Sequence, residues 1–143
     1  MPMNYSKSGL QLTERFEGCK YVAYQDQRGI WTLGYGHTFG VVEGMACTQE
    51  QAEAWLIADT AWAVSVVNKY VAITVTQGEF DAMTDFVFNV GAGNFEHSAL
   101  LRLVDAGQFA QAAEEFEKWD HCGGQVVAGL LRRRLAEAQE FKS

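Results

Sequence analysis

Two carboxylates and a hydroxyl in the first quarter of the chain could carry out acid–base chemistry. Glu17 is followed by eight residues and then Asp26, and Asp26 by five residues and then Thr32, within the run FEGCKYVAYQDQRGIWTLGYGHT. Glycoside hydrolysis requires one protonated carboxylic acid that donates to the leaving oxygen and one ionised carboxylate that activates water or attacks. Thr32 could hold the water through its hydroxyl group.

The elements expected around these residues separate the two roles. Glu17 is predicted to end a short helix that begins near Ser6 or Ser8. The partial negative charge of a helix C-terminus favours the protonated form of Glu17. Asp26 lies in the loop of a hairpin predicted within residues 20–37, where nothing opposes its ionisation. The pattern therefore predicts Glu17 as the acid and Asp26 as the base.

Each of these residues also has a structural explanation when it is taken alone. Glu17 could be a surface residue of a last helical turn, Asp26 a turn starter and Thr32 a β-branched strand residue. His37 alone is most simply a satisfied structural histidine. The glycines of the run 34–37 predict a bend or the close approach of another group to the backbone. The chemical interpretation therefore depends on the joint pattern.

From Thr48 onward the pattern is helical to the end of the chain. Thr48 with Gln51 and Thr76 with Glu79 have the spacing of reciprocal capping boxes. High helix content with one small sheet near the amino end indicates the α+β class. Helices are expected over about 49–70, 77–90, 99–106, 108–119 and 126–141.

The composition indicates a globular protein and excludes several classes. Of the 143 residues, 48% are hydrophobic, 13% are aromatic and only one is proline, so collagen-like and disordered chains are excluded. Cys19, Cys47 and Cys122 follow no metal-binding spacing and favour a chain folded in a reducing cytoplasm. Cys19 is expected to be a small buried residue. No metal and no organic cofactor is expected, since acid–base chemistry on a glycoside needs none.

The net charge and the lengths of the apolar runs indicate whether the chain binds nucleic acid or inserts into a membrane. A net charge of −7 predicts no binding to nucleic acid. The basic run Arg132–Arg134 is most simply a solvated helix face. No apolar run has the length of a signal peptide or of a membrane span. We therefore expect synthesis in a cytoplasm, without stable insertion into a membrane.

The joint pattern of Glu17, Asp26 and Thr32 resembles the catalytic signature of the phage-type lysozymes, glycoside hydrolase family 24. The resemblance continues in DFVFNVGAGNFEHSALLRLV, which is similar to the family's cleft-facing segment, and in VAGLLRRRLAEAQEF, which is similar to its terminal helix. It extends from about Gly9 to Phe141.

The resemblance implies a single lysozyme-like domain over residues 1–143, with murein bound in a cleft between two lobes. Residues of about 18–48 would form a small sheet-bearing lobe, and about 49–70 a connecting helix. Residues of about 71–143, with the amino-terminal helix, would form the helical lobe.

The resemblance also implies roles for individual residues. Glu17 is the general acid, Asp26 the base that orients water, and Thr32 a partner of that water, in an inverting reaction. Thr38, Phe88, Asn89 and Ser98 match positions that contact saccharide in the family. His37 is a supporting residue, and Arg133 or Arg134 resembles the arginine that approaches the catalytic acid.

The implied function is that of a bacteriophage endolysin that lyses the host cell. It hydrolyses the β-1,4 bond between N-acetylmuramic acid and N-acetylglucosamine in bacterial peptidoglycan. The chain is expected to be a monomer that reaches the wall in the periplasm once a holin has permeabilised the membrane. Because many phage lysozymes are basic, the charge of −7 predicts slower encounter with the anionic wall and salt-sensitive activity.

Two other functions stay open from the sequence. A lytic transglycosylase would need Glu17 but no water bound at Asp26, and would leave an anhydro-sugar end. A non-catalytic wall-binding module would keep the fold and would need neither carboxylate. The presence of both Glu17 and Asp26 argues against these alternatives.

Overall fold

Residues 13–61 form the smaller of two units in the computed structural model, which describes residues 2–143. This unit contains the end of helix α1 (Lys7–Glu17), strands β1 (Lys20–Gln25) and β2 (Trp31–Gly34), and the beginning of helix α2 (Gln49–Tyr70). The larger unit comprises residues 2–12 and 62–143. The division thus passes through α1 and α2 rather than between elements.

The two strands of the smaller unit pair as an antiparallel hairpin. Tyr24 lies opposite Thr32 and Gln25 opposite Trp31, with an irregularity between Lys20 and Tyr24. The pair of Gln25 and Trp31 therefore closes the hairpin directly before the loop of residues 26–30.

Local capping explains where the first helices begin. Ser6 Oγ accepts the backbone N–H of Gly9 at 3.2 Å, which makes Ser6 rather than Ser8 the cap of α1. At the start of α2, Thr48 Oγ1 accepts the N–H of Gln51 at 3.1 Å, and Gln51 Oε1 accepts the N–H of Thr48 at 3.0 Å. The predicted capping box is confirmed, and α2 has the predicted bounds.

The larger unit is helical and has an aromatic core. It contains α3 (Gln77–Val90), which begins at the predicted capping box of Thr76 and Glu79. The ring of Phe86 on α3 contacts those of Phe95, Phe116 and Trp119. The remaining helices are α4 (Ala92–Glu96), α5 (Ala99–Asp105), α6 (Phe109–Glu115), a 3₁₀ turn (Phe116–Trp119) and α7 (Ala128–Lys142).

The prediction of helix alone after Thr48 is wrong at one place. Strands β3 (His121–Cys122) and β4 (Gln125–Val126) form a second hairpin. Its two turn residues, Gly123 and Gly124, both have positive φ angles of 61° and 82°, as a type I′ turn requires. The α+β class is confirmed, with two small sheets in place of one.

A second expectation from the sequence is also wrong. Arg133 and Arg134 are buried, and within the run of three arginines only Arg132 is exposed. The run is therefore not a solvated helix face. Across residues 2–143, no helix combines the length and the apolar character needed to cross a bilayer.

Candidate active site

Glu17 is the last residue of α1 and is partly buried. A Cβ atom placed on Gly36 would lie 3.4 Å from Glu17 Oε1, and Gly36 has a φ of +84°. A Cβ atom on Gly34 would lie 3.2 Å from Cβ of Ala52. A close approach is found at Gly34, whereas at Gly36 the Glu17 carboxylate lies at ordinary van der Waals distance from the Cβ position.

Asp26 is the first residue of the hairpin loop, and backbone amides fix its carboxylate. Its Oδ1 atom accepts the N–H of Arg28 at 2.8 Å and that of Ile30 at 2.9 Å. The hydrogen bond from Ile30 holds the pKa of the Asp26 carboxyl below its ordinary value, with help from the amide and the charge of Arg28. Within residues 2–143, no hydrogen bond reaches Oδ2. Asp26 is thus an ionised carboxylate with one oxygen left for a ligand.

Thr32 lies on β2 and is buried. Its Oγ1 atom donates a hydrogen bond to the carbonyl oxygen of Ile30 at 2.9 Å. Because a hydroxyl has one hydrogen and two lone pairs, Thr32 Oγ1 retains the capacity to accept a hydrogen bond from water. Ile30 therefore bonds to both predicted residues, through its N–H to Asp26 and through its carbonyl to Thr32.

His37 makes three kinds of contact within the smaller unit: backbone hydrogen bonds, a side-chain hydrogen bond and ring stacking. Its backbone exchanges two hydrogen bonds of 2.9 Å with Leu33. Its Nδ1 atom lies 2.8 Å from Oδ2 of Asp59, and its ring stacks on Trp55 with centroids 4.5 Å apart and planes 8° apart. His37 is thus a satisfied structural histidine. It fixes the backbone next to Thr38, whose side chain is exposed.

The other predicted saccharide contacts lie in the larger unit. Phe88 packs against Trp62, and Asn89 follows it on α3 with an exposed side chain. Ser98 caps α5: its hydroxyl accepts the N–H of Leu101 at 3.1 Å and donates to the carbonyl of Phe95 at 2.7 Å. The hydroxyl hydrogen of Ser98 is therefore used inside the protein.

Arg133 and Arg134 belong to a buried charged cluster that the sequence did not reveal. Arg133 binds Asp85 through two hydrogen bonds, from Nε at 2.9 Å and from Nη2 at 2.8 Å. Arg134 Nε lies 2.8 Å from Oε1 of Glu137, and Arg134 Nη2 donates to Oδ1 of Asn89 at 2.7 Å. Burial raises the pKa of Glu137, and the neighbouring Asp85 adds to this effect.

Asp59, Asp85 and Glu137 are the polar residues that sequence reasoning missed. Each binds a residue that was predicted for the site: Asp59 binds His37, and Asp85 and Glu137 bind the arginines. The only signal in the sequence is the spacing of Glu137 from Arg133 and Arg134, which places the three residues within one turn of α7.

The structure sorts the predicted residues between the two units. Glu17, Asp26, Thr32, His37 and Thr38 belong to residues 13–61, and the others belong to residues 62–143. Among residues 2–143 there is no group of three or more His, Cys, Asp or Glu side chains that could bind a metal ion. The predicted residues in the larger unit are Phe88, Asn89, Ser98, Arg133 and Arg134.

Comparison with known proteins gives consistent matches. The family described as phage lysozyme matches residues 14–137. The endolysin of Acyrthosiphon pisum secondary endosymbiont phage 1 is 41% identical over 99% of this chain and 99% of its own. The endolysin of Bacillus phage B103 is 39% identical, and this chain spans 54% of its length. The muramidase domain of SpmX from Asticaccaulis excentricus superposes with a TM-score of 0.90 at 39% identity, covering 98% of each chain.

Proposed function

The chain belongs to the phage lysozyme family and is a glycoside hydrolase, and from that premise we propose how it acts on bacterial peptidoglycan. It hydrolyses the β-1,4 bond between N-acetylmuramic acid and N-acetylglucosamine. Glu17 is the general acid, and Asp26 is the general base. Thr32 assists Asp26 by binding the attacking water.

The state of Asp26 is the observation that carries this proposal. The amide of Ile30 keeps its carboxyl ionised, and its Oδ2 atom accepts no hydrogen bond within residues 2–143. A carboxylate that is charged, fixed in direction and open on one oxygen is suited to accept a proton from water. Thr32 Oγ1, whose hydrogen is given to Ile30, can accept the second hydrogen of the same water.

Glu17 supplies the proton that the leaving oxygen needs. The water oxygen bonds to the anomeric carbon, and Asp26 takes a proton from that water. The bond from the anomeric carbon to the glycosidic oxygen breaks, and this oxygen takes the proton of Glu17. Gly36 has no side chain to contact Oε1 of Glu17, whereas a Cβ atom there would lie 3.4 Å away, at ordinary van der Waals distance.

The products of purified peptidoglycan digestion test this assignment. The unaltered chain should release reducing muramic acid ends, measured by a reducing-end assay with mass spectrometry. Glu17→Gln and Asp26→Asn should each abolish their release. Anhydro-sugar ends that survive in Asp26→Asn would instead identify a lytic transglycosylase. Binding without cleavage by the unaltered chain would leave a wall-binding module.

The route to the wall is a second part of the proposal, supported by the similarity to phage endolysins. The chain accumulates in the host cytoplasm as a monomer and reaches the periplasm after a holin opens the membrane. Cells that express the chain alone should stay intact until their membrane is permeabilised, as culture turbidity would record. Prompt lysis without a holin would contradict this route, and light scattering of the purified chain would test the monomer.

A further inference from the structure

Two cysteines of the smaller unit lie on adjoining segments of the backbone. Cys47 donates its backbone N–H to the carbonyl oxygen of Tyr21 at 2.9 Å, and Val22 is bridged to Ala46 in antiparallel register. Cys47 therefore lies opposite Tyr21, and their side chains share one face of the paired segments. Cys19 comes two residues before Tyr21, so the alternation of side chains directs it to the same face. The two thiols are thus diagonal neighbours across the pair.

The surroundings of the two thiols agree with this placement. Sγ of Cys47 lies 3.9 Å from the carbonyl oxygen of Lys20, the residue that follows Cys19. Burial raises the pKa of the Cys19 thiol, and the neighbouring Cys47 adds to this effect. Both residues are free cysteines with partly exposed side chains, so a small oxidant can reach them.

The backbone around Cys19 leaves room for the small movement that a bond needs. Diagonal Cα atoms of an antiparallel pair are about 7–8 Å apart, slightly more than the usual span of a disulfide. Gly18 precedes Cys19 with a φ of 69°. Apart from its two neighbours in the chain, no atom of residues 2–143 lies within 4 Å of where its Cβ would be. The pairing of β1 with β2 is irregular between Lys20 and Tyr24, so a shift at residue 19 breaks no regular ladder.

We propose that Cys19 and Cys47 form a reversible intramolecular disulfide when the chain meets a disulfide oxidant such as glutathione disulfide. One cysteine thiolate attacks a sulfur of the oxidant and releases a glutathione thiolate. The other cysteine thiolate attacks the protein sulfur of this mixed disulfide and releases a second glutathione thiolate. One S–S bond replaces two protein S–H bonds, and the two electrons and two protons convert glutathione disulfide to two molecules of glutathione.

The bond closes a covalent loop around the hairpin that carries the predicted base. Asp26 and Thr32 both lie between residues 19 and 47. A cross-link at the ends of this segment restricts the unfolded chain more than the folded one, so the smaller unit becomes more resistant to unfolding. Formation of the bond is independent of hydrolysis. Only its timing rests on the proposed function, because the proposed route takes the chain from a reducing cytoplasm to an oxidising periplasm.

Mass spectrometry of the folded chain after incubation with glutathione disulfide tests the pairing. The background is Cys122→Ser, because Cys122 is exposed in the larger unit and would also react. The product should be lighter than the reduced chain by two hydrogen atoms, and proteolysis should release the peptides of Cys19 and Cys47 as one linked species. Cys19→Ser and Cys47→Ser should each gain one glutathione instead. Two glutathiones on the background chain, with no internal bond, would overturn the proposal.

A thiol moved by one residue provides the matched control. Ala46→Cys combined with Cys47→Ser and Cys122→Ser places the second thiol on the opposite face of the same segment, at an exposed position. This chain should bind glutathione at both cysteines and form no internal bond. If it cross-linked to Cys19 as readily as the natural pair does, the register would not determine the bond, and the assigned pairing would be wrong.

Thermal melting measures what the bond does to the fold. The oxidised Cys122→Ser chain should melt about 5–10 °C above the reduced chain, and dithiothreitol should reverse the rise. Oxidation should not raise the melting temperature when Cys47→Ser is also present. A bond that formed without any rise would reject the stabilising role. Neither measurement uses peptidoglycan, so a chain that released no reducing ends would refute the proposed hydrolysis and leave the disulfide to be decided separately.

Discussion

Asp26 and Asp85 are the same residue type in two different settings. Asp26, in the smaller unit, is held by two backbone amides and has one oxygen without a hydrogen bond in residues 2–143. Asp85, in the larger unit, is fully buried and binds the guanidinium of Arg133 through both oxygens. Neutral backbone N–H groups stabilise the negative charge of a carboxylate without neutralising it. A buried arginine cancels the charge, so Asp85 stabilises the fold and Asp26 can act on a ligand.

The largest expected effect is the loss of activity in Asp26→Asn. The amide oxygen can still accept the N–H groups of Arg28 and Ile30, so the loop should keep its conformation. Turnover of peptidoglycan should fall by a factor of about 10²–10⁴, the range for loss of a general base. Urea unfolding should show only a small change in stability, because Asp26 is only partly buried and its hydrogen-bonding oxygen is retained. If Asp26→Asn lowered the free energy of unfolding as much as Asp85→Ala does, the contrast between the two aspartates would be wrong.

Asp85→Ala should show the opposite result. The substitution removes the carboxylate that accepts two hydrogen bonds from the buried guanidinium of Arg133. This should lower the free energy of unfolding by about 3–5 kcal/mol. Lys118→Ala removes a surface ion pair with Glu115 and serves as the control, with a loss below about 1 kcal/mol. Urea unfolding measures both variants. A loss for Asp85→Ala no larger than that of the control would show that the buried pair does not stabilise the fold.

The contrast also explains what the sequence could predict about the site. The loop of Asp26 is local, because its hydrogen bonds reach only Arg28 and Ile30, two and four residues away. Asp26 and Arg133 are both charged residue types, so the sequence alone predicts that both are exposed to solvent. The partner of Arg133 is 48 residues away, and no spacing rule within one sequence identifies it. The burial of the arginines was therefore missed.

The same distinction between local and distant interactions applies to the fold. The bounds of α2 and α3 were predicted because capping boxes are signals within four residues. The hairpin of β3 and β4 was missed, since strands of two residues have no periodicity. Its only signal was the pair Gly123 and Gly124, which favours a two-residue turn.

Substitution of Gly36 and of Gly40 by alanine compares two glycines of the smaller unit that differ in their distance from a carboxylate. Gly36 and Gly40 both have positive φ angles, 84° and 74°, but only the Cβ position of Gly36 lies near a carboxylate. Gly36→Ala and Gly40→Ala should each lower the free energy of unfolding by about 1–2 kcal/mol. Only Gly36→Ala should also lower turnover, because its methyl group would lie against Oε1 of Glu17. Equal turnover in the two variants would argue that this contact does not affect Glu17.

The two units also differ in charge density, with a smaller expected effect. Residues 13–61 contain seven acidic and three basic residues, against eleven and eight in the rest of the chain. Salt screens repulsion from the anionic wall, so clearing of wall suspensions should accelerate about two- to threefold between 0.01 and 0.1 M NaCl. The double variant Glu43→Gln, Glu50→Gln should reduce this dependence more than Glu114→Gln, Glu117→Gln in the larger unit. Clearing that is indifferent to salt would contradict the electrostatic explanation.

The smallest expected effect concerns the pH dependence that the Asp26 loop sets. Because the amide of Ile30 lowers the pKa of Asp26, the carboxylate stays ionised as pH falls through its ordinary value of 3.8. The acid limb of kcat/KM should therefore lie below that value. The same sign holds for stability: the contribution of these hydrogen bonds is present above the ordinary pKa and is lost as pH falls through the lowered one.

Arg28→Gln separates the charge in this loop from its backbone amides. It removes the positive charge and keeps the N–H of residue 28, so the pKa of Asp26 should rise and the acid limb should move upward by less than about one pH unit. Lys20→Gln, which removes an exposed charge outside the loop, should leave the limb in place. A larger shift in Arg28→Gln would mean that a cation, and not the amide of Ile30, mainly controls Asp26. Asp26 would then resemble Asp85 in its dependence on an arginine, and the difference between the two aspartates would be one of burial alone.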